Sequence, residues 1–147
     1  MSTVVEPWTR AAHPHPACEV RARVRPATLA ACVADVLGRG GYRLVPHGEA
    51  AFTAVRGRKG WNRYLEAAIG LVPAVGPLQY TALEVTELAP EGGRGGIRLT
   101  CRDGYQQLGA ARRVAEQVTT IAAELAQRNI APVTVSRWHP DPFGERP

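Results

Sequence analysis

The sequence predicts an α+β two-layer sandwich, an antiparallel sheet of about four to five strands with two main helices packed on one face and one short extra helix. Three observations carry that prediction. Apolar and polar residues alternate strictly over residues 19–25, and residues 80–88 and 97–102 also alternate, with Thr81, Leu83 and Val85 opposite Ala82, Glu84 and Thr86, and Ile97, Leu99 and Cys101 opposite Arg98, Thr100 and Arg102, the period of strands with one face buried. Two apolar stripes recur at helical spacing, one through Leu29, Cys32, Val33, Val36 and Leu37, the other through Val114, Val118, Ile121 and Leu125. Glycine- and proline-rich turns separate the strand pairs, which favours antiparallel pairing and leaves one sheet face for the helices.

In chain order, Val20, Ala22 and Val24 share one face of a first strand and Arg21, Arg23 and Arg25 the other. Pro26 stops that ladder and Thr28 is a candidate N-cap for the first helix, which Gly38, Gly40 and Gly41 end. Residues 42–45 and 51–56 read as a hairpin turning at Pro46, His47 and Gly48. Trp61, Tyr64, Leu65, Ala68, Ile69 and Val72 trace the short extra helix, closed by Pro73, Gly76 and Pro77. Two strands then flank the glycine-rich linker 91–96, and a long helix over about 108–128 follows, with Asn129 placed to cap its C-terminus. Residues 1–18, with Pro7, Pro14 and Pro16, show no period and read as a disordered N-terminal tail. Residues 19–136 form a single α+β domain, and 137–147 a proline-rich C-terminal tail.

Composition bounds the function. A chain of 147 residues buries roughly 68–70% of its unfolded surface as one domain. With 45% apolar and 21% charged residues, fibrous, coiled-coil and wholly disordered classes are excluded. No apolar run is long enough to cross a bilayer and the N-terminus has no basic head followed by an apolar stretch, so the expected location is cytoplasmic.

Charge is local. Lys59 is the single lysine beside many arginines, the signature of a GC-rich genome, so arginine content alone says little about partners. The two predicted tails are each neutral, and within the net charge of +5 the cluster Arg56, Arg58, Lys59 and Arg63 stands without an acid among its residues. The alternating Arg21, Arg23, Arg25, Arg98 and Arg102 share a sheet face with Glu84, and cross-strand pairing is the expectation there.

Catalytic signatures are lacking. The serines are Ser2 and Ser136, neither in a nucleophile elbow. Cys18, Cys32 and Cys101 form no metal-ligand or redox spacing, and His13 and His15 have no third ligand beside them, so no metal is expected; Cys32 and Cys101 fall on apolar faces, where a thiol acts as a small hydrophobe. The glycine clusters match neither a phosphate-binding P-loop nor a dinucleotide fingerprint, and no cofactor is expected. The expectation leans away from an enzyme. An enzyme would need a site assembled from distant segments, for which His47, Cys101 and Asp103 are the candidates.

One segment points to a ligand. In Arg56, Gly57, Arg58, Lys59, Gly60, Trp61 and Arg63, two glycines bracket two cations at a strand-to-helix junction. Glycines let a backbone approach closely, helix N–H groups point at the junction, and aromatic and cationic side chains add stacking surface and charge. The expected function is a small non-catalytic binding domain that engages an anionic partner: nucleic acid, a phosphate-bearing molecule or an acidic protein surface.

The run Gly57, Arg58, Lys59, Gly60, followed by Leu65 and Gly70, resembles the basic GxxG loop and helix of KH RNA-binding domains, over about fourteen residues, and implies a clamp on a nucleic-acid backbone. A weaker likeness joins Trp138, His139, Pro140, Asp141, Pro142, Phe143 and Gly144 to the W-Y-P-D-P-x-G tail element of many actinobacterial proteins. Two further readings stay open: a peripheral membrane module using the apolar stretch after the cations, and a homo-oligomer formed through an edge strand or a patch around Trp61.

Overall fold

In the computed structural model, residues 4–9, 15–57, 80–105, 109–130 and 132–140 are described. They form β1 (Pro16–Ala22), α1 (Pro26–Arg39), β2 (Arg43–Gly48), β3 (Ala51–Arg56), β4 (Thr81–Glu91), β5 (Arg94–Asp103), α2 (Ala110–Gln127), β6 (Thr134–Val135) and β7 (His139–Pro140). The fold is α+β. Its seven-stranded sheet is wholly antiparallel, in the order β2-β3-β4-β5-β1-β6, with β7 also on β1. That is more than the four to five strands expected. The short helix expected after Trp61 lies outside the described residues.

Alternation explains the core. Registered pairs Val20–Ile97, Cys18–Leu99, Val85–Leu99, Phe52–Val85 and Ala54–Leu83 run across one face of the sheet. These residues share a buried cluster with Leu29, Val33 and Leu37 of α1 and Val114, Val118, Ile121 and Leu125 of α2. The two stripes read from the sequence are therefore the two helix faces that leave water. No helix among the described residues is long and apolar enough to cross a membrane.

Helix ends follow from backbone chemistry. α1 starts at Pro26 rather than after Thr28, with Arg25 as an extended N-cap and no side-chain cap; proline's fixed φ suits that first position and its missing N–H leaves no donor stranded. Its C-terminus closes as a Schellman motif: Tyr42 N–H donates to Leu37 O at 3.1 Å and Gly41 N–H to Gly38 O at 3.2 Å, with Gly41 at φ 90°. α2 ends the same way, through left-handed Asn129 at φ 60° and Ile130 N–H donating to Leu125 O at 2.9 Å.

Glycines 92–96 divide into two roles. Gly92 and Gly93, both at positive φ, make the tight turn that joins Glu91 to its partner Arg94. Gly95 and Gly96, expected to belong to a linker, are instead strand residues. A Cβ on Gly95 would stand 2.2 Å from Val24 O, and one on Gly96 3.0 Å from the Arg21 side chain, so both are bare because something crosses them.

The segments expected to be tails contribute to the fold. β1 begins at Pro16, three residues before the expected start, because Pro16 and Ala17 pair with Pro140 and His139 while Ala17 and Cys18 pair with Thr100 and Leu99. Trp8 and Trp138 are 5% and 7% exposed. Val5 N–H donates to Thr119 Oγ1 at 2.9 Å, Trp8 Nε1 to Tyr105 O at 3.2 Å and Trp138 Nε1 to Glu6 O at 2.8 Å. A single aromatic residue in an aperiodic stretch carries no sequence signal, yet each of these indoles buries a large surface.

Candidate anion-binding site

Arg56 ends β3, and its position follows from the strand period. Phe52 and Ala54 face the core, so Arg56, two residues further, continues onto that same face and is registered with Thr81, the first residue of β4. Arg113 reaches the same place from the first turn of α2, donating Nη2 to Thr81 Oγ1 at 2.8 Å. Tyr42, delivered by the Schellman turn of α1, donates its hydroxyl to Gln117 Oε1 at 3.0 Å, one turn beyond Arg113. Glycine makes room for Gln117, since a Cβ on Gly40 would come 3.1 Å from its Nε2, while Arg56 Nε lies in ordinary contact range, 3.9 Å, of a Cβ placed on Gly41.

Electrostatically the group is unbalanced. Among the described residues no carboxylate pairs with Arg56 or Arg113. Arg56 Nη1 and Arg113 Nε are buried with no hydrogen-bond acceptor. Burial, and next the charge of Arg113, pull the Arg56 guanidinium below its ordinary value, while the Tyr42 oxygen opposes them. Burial pushes the Tyr42 phenol up, and the facing Arg113 guanidinium resists. Two like charges held together in a half-buried place favour an anion between them.

The other arginine-rich surface is different in kind. Arg98 pairs with Glu19 at 3.0 Å, Arg102 with Glu84 at 3.3 Å and Arg21 with Glu91 at 3.4 Å, Arg21 also donating to Ala89 O at 3.1 Å. The cross-strand pairing expected for this face is present at Arg21, Arg98 and Arg102, each of which has a carboxylate partner within the chain.

Of the expected site residues, Arg56 and Gly57 are described; Gly57 has φ 83°, a conformation that suits glycine. Arg58, Lys59, Gly60, Trp61 and Arg63 lie outside the described residues. Gly57 leaves a strand of a seven-stranded sheet, whereas the KH loop it resembles joins two helices. Sequence reasoning missed Arg113, Tyr42 and Gln117, which belong to segments remote from the basic run; the uninterrupted period Phe52, Ala54, Arg56 was the one signal that Arg56 turns inward.

Of the candidates for an assembled enzyme site, Cys101 and Asp103 are neighbours on β5, with Cys101 Sγ 3.4 Å from Asp103 O, and His47 stands apart from them. His47 lies on the exposed edge strand β2 with its Nε2 2.8 Å from Thr53 Oγ1, and Cys101 is buried on β5, beyond β3 and β4. Burial first, then the neighbouring acids Glu19 and Asp103 respectively, push the thiols of Cys18 and Cys101 up to about 12, which removes the thiolate a nucleophile needs. No group of three metal-ligating side chains occurs among the described residues. A separate open groove of about 440 Å³ runs between residues 4–9 and 135–138, with Glu6 and Arg137 as its charged groups.

No protein-family model matches this sequence, and no curated protein matches it significantly.

Proposed function

We propose that this chain is a cytoplasmic, non-catalytic binding domain built as a two-layer α+β sandwich, whose partner is anionic and is engaged by Arg56, Gly57, Arg58, Lys59, Gly60, Trp61 and Arg63. The observation that supports this reading is the contrast between two sets of arginines. Arg21, Arg98 and Arg102 pair with Glu91, Glu19 and Glu84, while Arg56, which opens the basic run, has no carboxylate partner among the described residues. A cation without a counter-charge among the described residues is available to a partner's negative group.

Replacing Arg58 and Lys59 together by Ala and measuring retention on heparin, RNA and anionic liposomes against salt tests the reading. Loss of retention, with a shallower salt dependence, is the expected result. Loss confined to RNA favours the KH-like version of the proposal. Unchanged retention on all three supports overturns it.

A further inference from the structure

The basic run explains why Arg56 carries charge, but not why its strand end is registered with the threonine that a second arginine, Arg113, binds. Ordinary folded proteins supply an acceptor for buried polar groups and a counter-charge for buried cations. Among the described residues, Arg56 Nη1 and Arg113 Nε are buried without an acceptor, as are Arg94 Nε and Arg98 Nε; Arg98, however, is paired with Glu19 and Arg94 is held through Nη2 by Arg21 O and Thr134 Oγ1, whereas Arg56 and Arg113 have no carboxylate partner among those residues. Among the described residues, the partners Thr81, Tyr42 and Gln117 hold no formal negative charge, and Asp103, registered with Ala82 next to Thr81, is exposed and makes no ion pair with either arginine.

We propose that Arg56 and Arg113 form a receptor for one dianionic oxyanion, a phosphate monoester group, seated where the end of β3 meets the first turn of α2. The proposal rests on the anion-binding reading above and deepens it by naming the ligand group and adding Arg113. Two planar donor forks from different elements suit a tetrahedral oxyanion, which offers several acceptor edges at once. Two positive charges match a dianion; a carboxylate would neutralise one.

The scaffold is arranged for this. Arg113 is held by Thr81 at 2.8 Å and Arg56 is registered beside that same threonine, so one strand end fixes both arginines. Tyr42 is a positioning residue: its hydrogen is committed to Gln117 Oε1, and its oxygen faces Arg113. The N-cap of α2 is Gly109, with no side-chain cap and no acid in the helix's first turn, so the positive helix end adds to the charge that Arg113 brings there. Arg56 and Arg113 both remain partly open to solvent, which leaves the rest of each fork accessible to a small group.

The test is thermal unfolding of the full chain with inorganic phosphate or acetate added at matched ionic strength, for the parent, Arg56→Met and Arg113→Met. Phosphate binding only the native state raises Tm in proportion to ln(1 + [L]/Kd). The expected result is a rise with phosphate and none with acetate in the parent, and at least tenfold weaker apparent phosphate affinity in either variant. Arg56→Met should also match or exceed the parent's Tm without phosphate, because it removes a buried unpaired charge; a purely structural arginine would lower it. If Arg113→Met does not fold, Arg113→Lys, which keeps the charge and loses the fork, should show the same tenfold weakening.

Phosphate acting no differently from acetate overturns the proposal, as do variants that respond like the parent. Heparin retention of the Arg58→Ala/Lys59→Ala variant separates the two levels. Inert phosphate with retention lost sinks the arginine-pair receptor and leaves the basic-run reading standing; inert phosphate with retention unchanged sinks both.

Discussion

Trp8 and Trp138 meet edge to face, with ring centroids 4.9 Å apart and planes inclined at 76°, so the segments flanking the sheet close on each other rather than trailing from it. The indole of Trp138 also donates to Glu6 O, and Ser136 clasps Glu19 through both its backbone N–H and its hydroxyl, at 2.9 and 2.8 Å. The clasp covers the outer edge of β1, whose unpaired groups would otherwise invite another strand.

Trp138→Ala is therefore expected to destabilise the fold by about 3–5 kcal/mol, and Trp138→Phe, which loses mainly the N–H bond to Glu6, by roughly 1–2 kcal/mol. Urea midpoints measure both. A Trp138→Ala midpoint equal to the parent's would mean that the clasp does not form in solution.

The two bare positions of β5 should differ sharply. Gly95→Ala pushes a methyl into the Val24 carbonyl, a backbone obstacle, and should cost about 2 kcal/mol or more. Gly96→Ala meets the flexible Arg21 side chain and should cost under about 1 kcal/mol, most of it absent in an Arg21→Ala background. A double-mutant cycle of unfolding free energies decides; equal penalties at the two glycines would contradict the packing described.

Alkaline pH should weaken the fold through its thiols. Cys18 and Cys101 titrate near 12 when folded and near 8.5 when unfolded. For groups whose folded pKa is raised, the unfolded state releases protons first as pH climbs. Their contribution is thus complete below about pH 8 and declines toward 12, by at most about 1.4 kcal/mol per pH unit for each thiol. Urea unfolding at pH 7, 8, 9 and 10 should show this fall in the parent and a shallower one in Cys18→Ala/Cys101→Ala. Parallel slopes would remove the thiols as the cause.

The paired sheet face should be silent in polyanion binding. Arg98→Ala frees Glu19 from its 3.0 Å partner, with an expected stability loss of about 1 kcal/mol or less that shrinks as salt is added. Heparin retention should stay at the parent's salt midpoint. A drop as large as that of Arg58→Ala/Lys59→Ala would place the binding surface on the sheet instead.

Much of the sheet and both described helices are legible in the residue pattern, because burial on one side imposes a period that local sequence must obey. Val20 with Ala22, Leu83 with Val85 and the stripes of α1 and α2 show it, as does Asn129, whose tolerance of left-handed backbone marks the end of α2. Boundaries were less legible. β1 extends back to Pro16 only because β5 and β7 offer partners there, and partners are not written in the strand they pair with.

The candidate site divides the same way. That residues 56–63 concentrate positive charge was determined by the sequence alone, since charge is a property of each side chain wherever it ends up. That Arg56 faces Arg113 beside Thr81, with Tyr42 and Gln117 behind, was decided only by the tertiary structure. Those residues come from four separate elements, β3, β4, α2 and the turn after α1, and their shared environment exists only once these have packed against one another.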